Sequence, residues 1–185
     1  MMTGRHGRRS AARPGDAARP DEVAGSPGGP AALRPMLPAD LASVLALERE
    51  LFPEDPWSVQ MFAEEVAQPP GSRLYLIAEA GEEAAPVTAG YAGMMFVPGG
   101  VQADVLTIAV APAYWSQGIG SALLSALIKA ARNRGCTEVF LEVREDNPRA
   151  RGLYLRRGFE EIGVRRGYYP PSGVDAIVMR KDLLR

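Results

Sequence analysis

The strongest constraint on this chain is a change of periodicity at Gly118. Upstream, apolar residues gather in β-type runs at 74–78, 87–97 and 101–110. The connections at 81–85 and 98–100 are too short for a helical crossover, so the runs should form an antiparallel meander. Downstream, Ile119, Ala122, Leu123, Ala126, Leu127, Ala130 and Ala131 recur at i, i+3, i+4 spacing. This predicts a helix over 118–134, with Arg132 and Arg134 favourably placed near its C-terminus and Gly135 closing it. A sheet that hands over to such a helix must bury the helix on one face.

The flanks extend the pattern. A short strand is expected at 33–36, then a helix opened by Pro38-Ala39-Asp40 with Leu41, Val44, Leu45 and Leu47 in phase. A second helix should begin at Pro56-Trp57-Ser58, carry Met61, Phe62 and Val66, and stop at Pro69-Pro70-Gly71. After the long helix come a buried strand at 137–143 and a helix capped by Asn147 with Pro148 in its first position. That helix should stop at Gly158, and strands at 159–165 and 175–182 complete the sheet. The fold class is α/β, an α+β mixed sandwich. Residues 32–185 are expected to form one domain, and residues 1–31, rich in Gly, Pro and Arg, a disordered tail.

Composition removes several chemistries. With one cysteine, Cys136, and one histidine, His6, there is neither an intrachain disulfide nor a His/Cys metal cluster. No metal is expected, and histidine-dependent triads are excluded. A formal net charge of -1 argues against direct nucleic-acid binding. No apolar run reaches membrane-spanning length and no secretory signal is seen, so a cytoplasmic location is expected.

The segment Ala109-Val110-Ala111-Pro112-Ala113-Tyr114-Trp115-Ser116-Gln117-Gly118-Ile119-Gly120-Ser121 runs from a strand end through a loop into a helix opened by two glycines. The first amides of a helix lack internal partners and carry partial positive charge. Glycines let a phosphate approach them. A tight strand-to-helix turn without any ligand is the other reading of the same residues. The dinucleotide and Lys-Ser/Thr phosphate-loop patterns are both absent.

Glu142 interrupts the apolar run Val139-Phe140-Leu141 and shares a strand face with Phe140. A carboxylate there must be paired, solvated or used. It is either a general-base candidate or a structural partner of an arginine such as Arg144 or Arg149. Tyr154 shares a helix face with Ala150 and Leu153. It is either a core aromatic or a catalytic hydroxyl.

The sequence Trp115-Ser116-Gln117-Gly118-Ile119-Gly120 is similar to the acetyl-CoA signature R/Q-x-x-G-x-G/A of the GNAT superfamily, with Trp115 in the first position. The run Asn147 to Phe159 resembles the second half of the GNAT core, N-x-x-A-x-x-L-Y-x-x-x-G-F. Phe52-Pro53-Glu54-Asp55-Pro56-Trp57-Ser58, with a small insertion, and Arg165-Arg166-Gly167-Tyr168-Tyr169-Pro170 followed by Asp175-Ala176-Ile177-Val178-Met179 resemble segments of bacterial ribosomal-protein alanine N-acetyltransferases.

The resemblance implies a GNAT fold: a twisted, mostly antiparallel sheet, splayed at the acetyl-CoA site, with helices on both faces. It implies acetyl-CoA as co-substrate, its pyrophosphate on the backbone of Ser116, Gln117, Gly118, Ile119, Gly120 and Ser121. The pantetheine arm would lie along Ile108, Ala109 and Val110, with Asn147 bonding it. Glu142 would be the general base. Tyr154, near the thioester sulfur, would be the general acid. Trp57, Tyr168 and Tyr169 would line the acceptor side. The implied acceptor is a protein N-terminus, most directly the N-terminal alanine of a small-subunit ribosomal protein, and the enzyme would be a monomer or weak homodimer. A small amine or lysine acceptor, or a non-catalytic CoA-binding sensor, are the alternatives.

Overall fold

The computed structural model describes residues 31–53, 56–68, 71–82 and 84–184. Except for Ala31, the expected tail at 1–31 lies outside the described residues, as do Pro69 and Pro70 of the expected helix stop and Glu54 and Asp55 of the insertion.

The elements are β1 (Ala32–Pro35), α1 (Leu41–Leu51), α2 (Val59–Val66), β2 (Arg73–Ala80), β3 (Val87–Phe96), β4 (Gln102–Val110), α3 (Ile119–Asn133), β5 (Glu138–Arg144), α4 (Pro148–Arg156), β6 (Glu160–Tyr169) and β7 (Val174–Asp182). Their order is the expected one. The seven strands form one sheet in the order β1-β2-β3-β4-β5-β7-β6.

One strand pair makes the site. All neighbours are antiparallel except β4 and β5. Their parallel ladder covers only Gln102, Ala103 and Asp104 against Glu138, Val139 and Phe140. Beyond it β4 stays with β3 as far as Val110, while β5 stays with β7 as far as Arg144. The two strands part and leave a cleft at their C-terminal ends. Backbone groups along the cleft walls lose their ladder partners and can bond a guest chain.

A bulge in β4 sharpens this arrangement. Gly93 opposes Thr107 and Met94 opposes Val105, so Leu106 is the extra residue. Leu106 and Ala109 then face the cluster of Val44, Phe62, Tyr75, Ile77 and Tyr91 beneath α1 and α2. Val105 and Ile108 face the other core, where Leu123 and Leu127 of α3 and Tyr154 of α4 pack on Met94, Val139 and Leu141. Helices thus cover both faces of the sheet.

Two boundaries differ from the sequence expectation. Trp57 precedes α2, which starts at Val59 because the Ser58 hydroxyl caps it, accepting from the Met61 N–H at 3.1 Å. β6 continues to Tyr169, pairing there with Val174 across an irregular register, so Tyr168 and Tyr169 end a strand instead of lying in a loop.

β3 approaches β4 closely where the site begins. A Cβ at Gly90 would sit 2.6 Å from the Ala109 carbonyl oxygen and 3.3 Å from the Val110 Cα. Because backbone cannot swing aside, Gly90→Ala is expected to cost about 2–3 kcal/mol of stability, read as a lower urea midpoint at unchanged slope.

Candidate active site

β4 ends at Val110, a single 3-10 turn spans Pro112–Tyr114, and the chain reverses through Ser116 (φ 63°) and Gly118 (φ 84°). That left-handed conformation at Gly118 is strained for any other residue. α3 begins immediately, and no side chain caps its first amides. They remain available to an anion.

These amides border a cavity of about 410 Å³ between α3, α4 and the parted strands. From β4 it takes Ile108 and Val110. From the loop and helix start it takes Ser116, Gly118, Ile119, Gly120 and Ser121, and from α4 it takes Tyr154. Three other expected residues lie elsewhere. Gln117 is exposed, its amide turned back onto the Ala113 carbonyl at 3.1 Å. Ala109 faces the α1/α2 cluster. Asn147 is fully buried and its Oδ1 accepts the Ala150 N–H at 3.0 Å, capping α4. The Asn147 Nδ2 is buried without a hydrogen-bond partner among the described residues.

Tyr154 is placed by the end of α4. The Phe159 N–H bonds the Tyr154 carbonyl at 3.0 Å and the Gly158 N–H bonds the Leu155 carbonyl at 3.0 Å, with Gly158 left-handed (φ 77°). This is the paired C-terminal closure of a helix, with its usual apolar contact: the Phe159 ring meets Tyr154 edge-on at 5.8 Å. Tyr154 is packed in the core as the first reading has it, 1% exposed, and it also borders the cavity.

Glu142 sits on the opposite face of β5 from Val139, Leu141 and Val143, whose side chains join the α3 core. It is 4% exposed, and the Arg165 guanidinium lies 3.3 Å from its Oε1. Sequence suggested Arg144 or Arg149 as the structural partner. Arg144 instead binds Asp146 at 2.8 Å, and Arg165 arrives from β6, two strands away in the sheet. Arg165 also lies over the Tyr168 ring at 5.6 Å. Tyr169 is buried, and its hydroxyl has no hydrogen-bond partner among the described residues. Burial, reinforced by Tyr168, Glu142 and Tyr154, pushes that hydroxyl well above its ordinary value.

Trp57 is 6% exposed and its ring packs against Phe62 at 4.8 Å. Its backbone N–H donates to Glu48 Oε2 at 3.1 Å, and Glu48, 1% exposed, also accepts from the Tyr91 hydroxyl.

Cys136 lies beyond the C-terminal end of α3, roughly 22 Å along that helix from the glycine-opened end. It is buried, and burial pushes its thiol up, against a smaller opposing effect of Arg134. Its position and raised thiol pKa both argue against a role as nucleophile. Cys136→Ala should leave turnover within about twofold of the parent, measured as thiol release, since neither the cavity nor Glu142 touches it.

Sequence reasoning did not single out Arg165 as the partner of Glu142, or Glu48. Only Glu48 carried a signal: it stands four residues after Val44, on the buried stripe of α1.

The chain matches the family model described as Acetyltransferase (GNAT) family over residues 41–159. It is 39% identical over 147 residues to the N-alpha-acetyltransferase RimI of Mycobacterium tuberculosis, covering 78% of this chain and 87% of that protein. It is 38% identical over 156 residues to a longer Mycobacterium leprae protein, spanning 83% of this chain but only 41% of that one. The crystal structure of the ribosomal-protein-S18-alanine N-acetyltransferase from Escherichia coli superimposes with a TM-score of 0.70 at 32% identity, over 83% of this chain and 94% of that chain.

Proposed function

The chain belongs to the acetyltransferase (GNAT) family, and we propose that this N-acetyltransferase moves the acetyl group of acetyl-CoA onto the α-amine of a protein N-terminus. The first candidate acceptor is the N-terminal alanine of a small-subunit ribosomal protein, the acceptor class named for the Escherichia coli structural neighbour.

One observation supports this reading: β4 and β5 stop pairing after Asp104 and Phe140, and a gap between them would be open to both faces of the sheet. On one face the cavity holds Tyr154 and the open amides of α3. On the other stand Glu142, Arg165 and Tyr169. A donor and an acceptor can then approach from opposite sides, as direct transfer requires.

The α3 amides would hold the pyrophosphate, and Asn147 Nδ2 with the free edge of β4 would bond the amides of the pantetheine arm. Acetyl-CoA supplies the activated acyl group. Glu142 takes a proton from the incoming ammonium, directly or through a water, because only the neutral amine is nucleophilic. Backbone N–H groups near Val110 stabilise negative charge developing on the thioester oxygen. The C–N bond forms as the amine attacks and the C–S bond breaks as the intermediate collapses; the Tyr154 hydroxyl protonates the departing thiolate, and the second proton shed by the nitrogen returns to the tyrosinate through solvent. The β6–β7 hairpin with Tyr168 and Tyr169, and the loop carrying Trp57, would bound the acceptor's first residues. The same proposal places the enzyme in the cytoplasm as a monomer or weak homodimer, with no metal and no direct nucleic-acid contact.

Mass spectrometry of protein N-termini in cells with and without the protein tests the acceptor. Loss of acetylation at one or a few alanine-initiated termini is expected. An unchanged set of acetylated termini, with a changed set of acetylated lysines or small amines, would contradict it.

A further inference from the structure

On the acetyl-CoA reading above, we propose that Arg149 of α4 makes the cationic contact to the cofactor's pyrophosphate. Trp115, in the motif position expected to hold Arg or Gln, is the platform that keeps it there.

Residues 111–121 contain no lysine or arginine, so the loop has no cation of its own for a diphosphate. α4 brings one in. The Arg149 guanidinium lies 4.5 Å from the centre of the Trp115 ring, and both residues line the cavity beside Gly118 and Gly120. Trp115 is fixed independently, since its indole N–H donates to the Val110 carbonyl at 2.7 Å. A guanidinium stacked on an indole face is held in place while its N–H edge stays open. That edge suits paired phosphate oxygens.

Among the described residues, Arg149 has no carboxylate in salt-bridge contact. Neighbouring guanidiniums are neutralised, Arg144 by Asp146 and Arg151 by Glu161. Arg149 makes only a 3.4 Å contact to the Ser116 hydroxyl, at the long limit for a hydrogen bond. Arg157, which also lines the cavity, is held by Ser121 at 3.0 Å. It stands roughly 12 Å further along α4, against the first turn of α3, with its guanidinium already engaged by the Ser121 hydroxyl. The usual cation of the loop has thus moved to α4, and Trp115 is the change that accommodates it.

Calorimetric titration of CoA and of 3′-dephospho-CoA tests this on the full chain and on R149A, W115A, the double alanine variant and W115R in the R149A background. Heat with the parent protein establishes the underlying reading, and no heat there would sink that reading itself. Given parental binding, R149A should weaken both ligands by about tenfold or more, since one charge-assisted contact is lost. W115A should do nearly the same, and the double variant should be no weaker than the worse single one. W115R should recover most of the loss caused by R149A. Parental affinity in R149A overturns the inference. So do additive losses, failure of W115R to rescue, or a loss confined to CoA, which would assign Arg149 to the 3′-phosphate. Arg149 is exposed, so its removal does not threaten folding.

Discussion

Glu142→Gln is expected to lower kcat roughly 10²–10⁴-fold while leaving the affinity for acetyl-CoA unchanged. Glutamine preserves the volume and leaves an oxygen that can face Arg165. What disappears is the ability to accept a proton. Glu142 does not line the cavity that holds the cofactor residues, so binding there should not feel the change. The deficit should narrow as pH rises past about 8, where a free α-amine is already neutral without help. Tyr154→Phe should cost kcat by a similar factor without that narrowing, because it removes the proton donor and spares the amine. The edge-on packing on Phe159 needs only the ring and would persist. Steady-state kinetics across pH, with thiol release as the readout, separates the two roles. Parental turnover in both variants would remove both assignments.

The second large effect concerns stability. Glu48→Ala should destabilise the protein by roughly 3–5 kcal/mol, a large share of the 5–15 kcal/mol typical of a domain. The carboxylate is 1% exposed and accepts from both the Trp57 N–H and the Tyr91 hydroxyl. Removing it strands two buried donors and opens a cavity against the sheet. Glu48→Gln keeps the volume and one acceptor and should cost less than half as much. Chemical denaturation of the three proteins checks this. Near-identical midpoints for the parent and the alanine variant would show that the clamp contributes nothing.

Much of this architecture was legible in the residues. The meander, the glycine-opened helix and the Asn147-Pro148 start each follow from local chemistry, and each lies where expected. The loop residues Ser116, Gly118, Ile119, Gly120 and Ser121 border one cavity because a local motif sets backbone direction. What could not be read depends on long-range pairing. Arg165 reaches Glu142 only because β7 lies between β5 and β6 in the sheet, an order that no local pattern encodes. Trp57 looked like an aromatic wall, yet Glu48 draws its backbone inward and buries the ring. The extension of β6 to Tyr169 was hidden by Gly167 and Pro170, which ordinarily signal a loop.

The central claim is that an α-amine is acetylated across the parted strands. It is tested most directly by incubating the protein with acetyl-CoA and an alanine-initiated peptide that also carries an internal lysine, then locating the modification by fragment mass spectrometry. One acetyl group on the alanine nitrogen is predicted, with the lysine untouched and no product from the Glu142→Gln protein on the same timescale. Acetyl on the lysine alone, or no transfer by protein that binds acetyl-CoA, would contradict it.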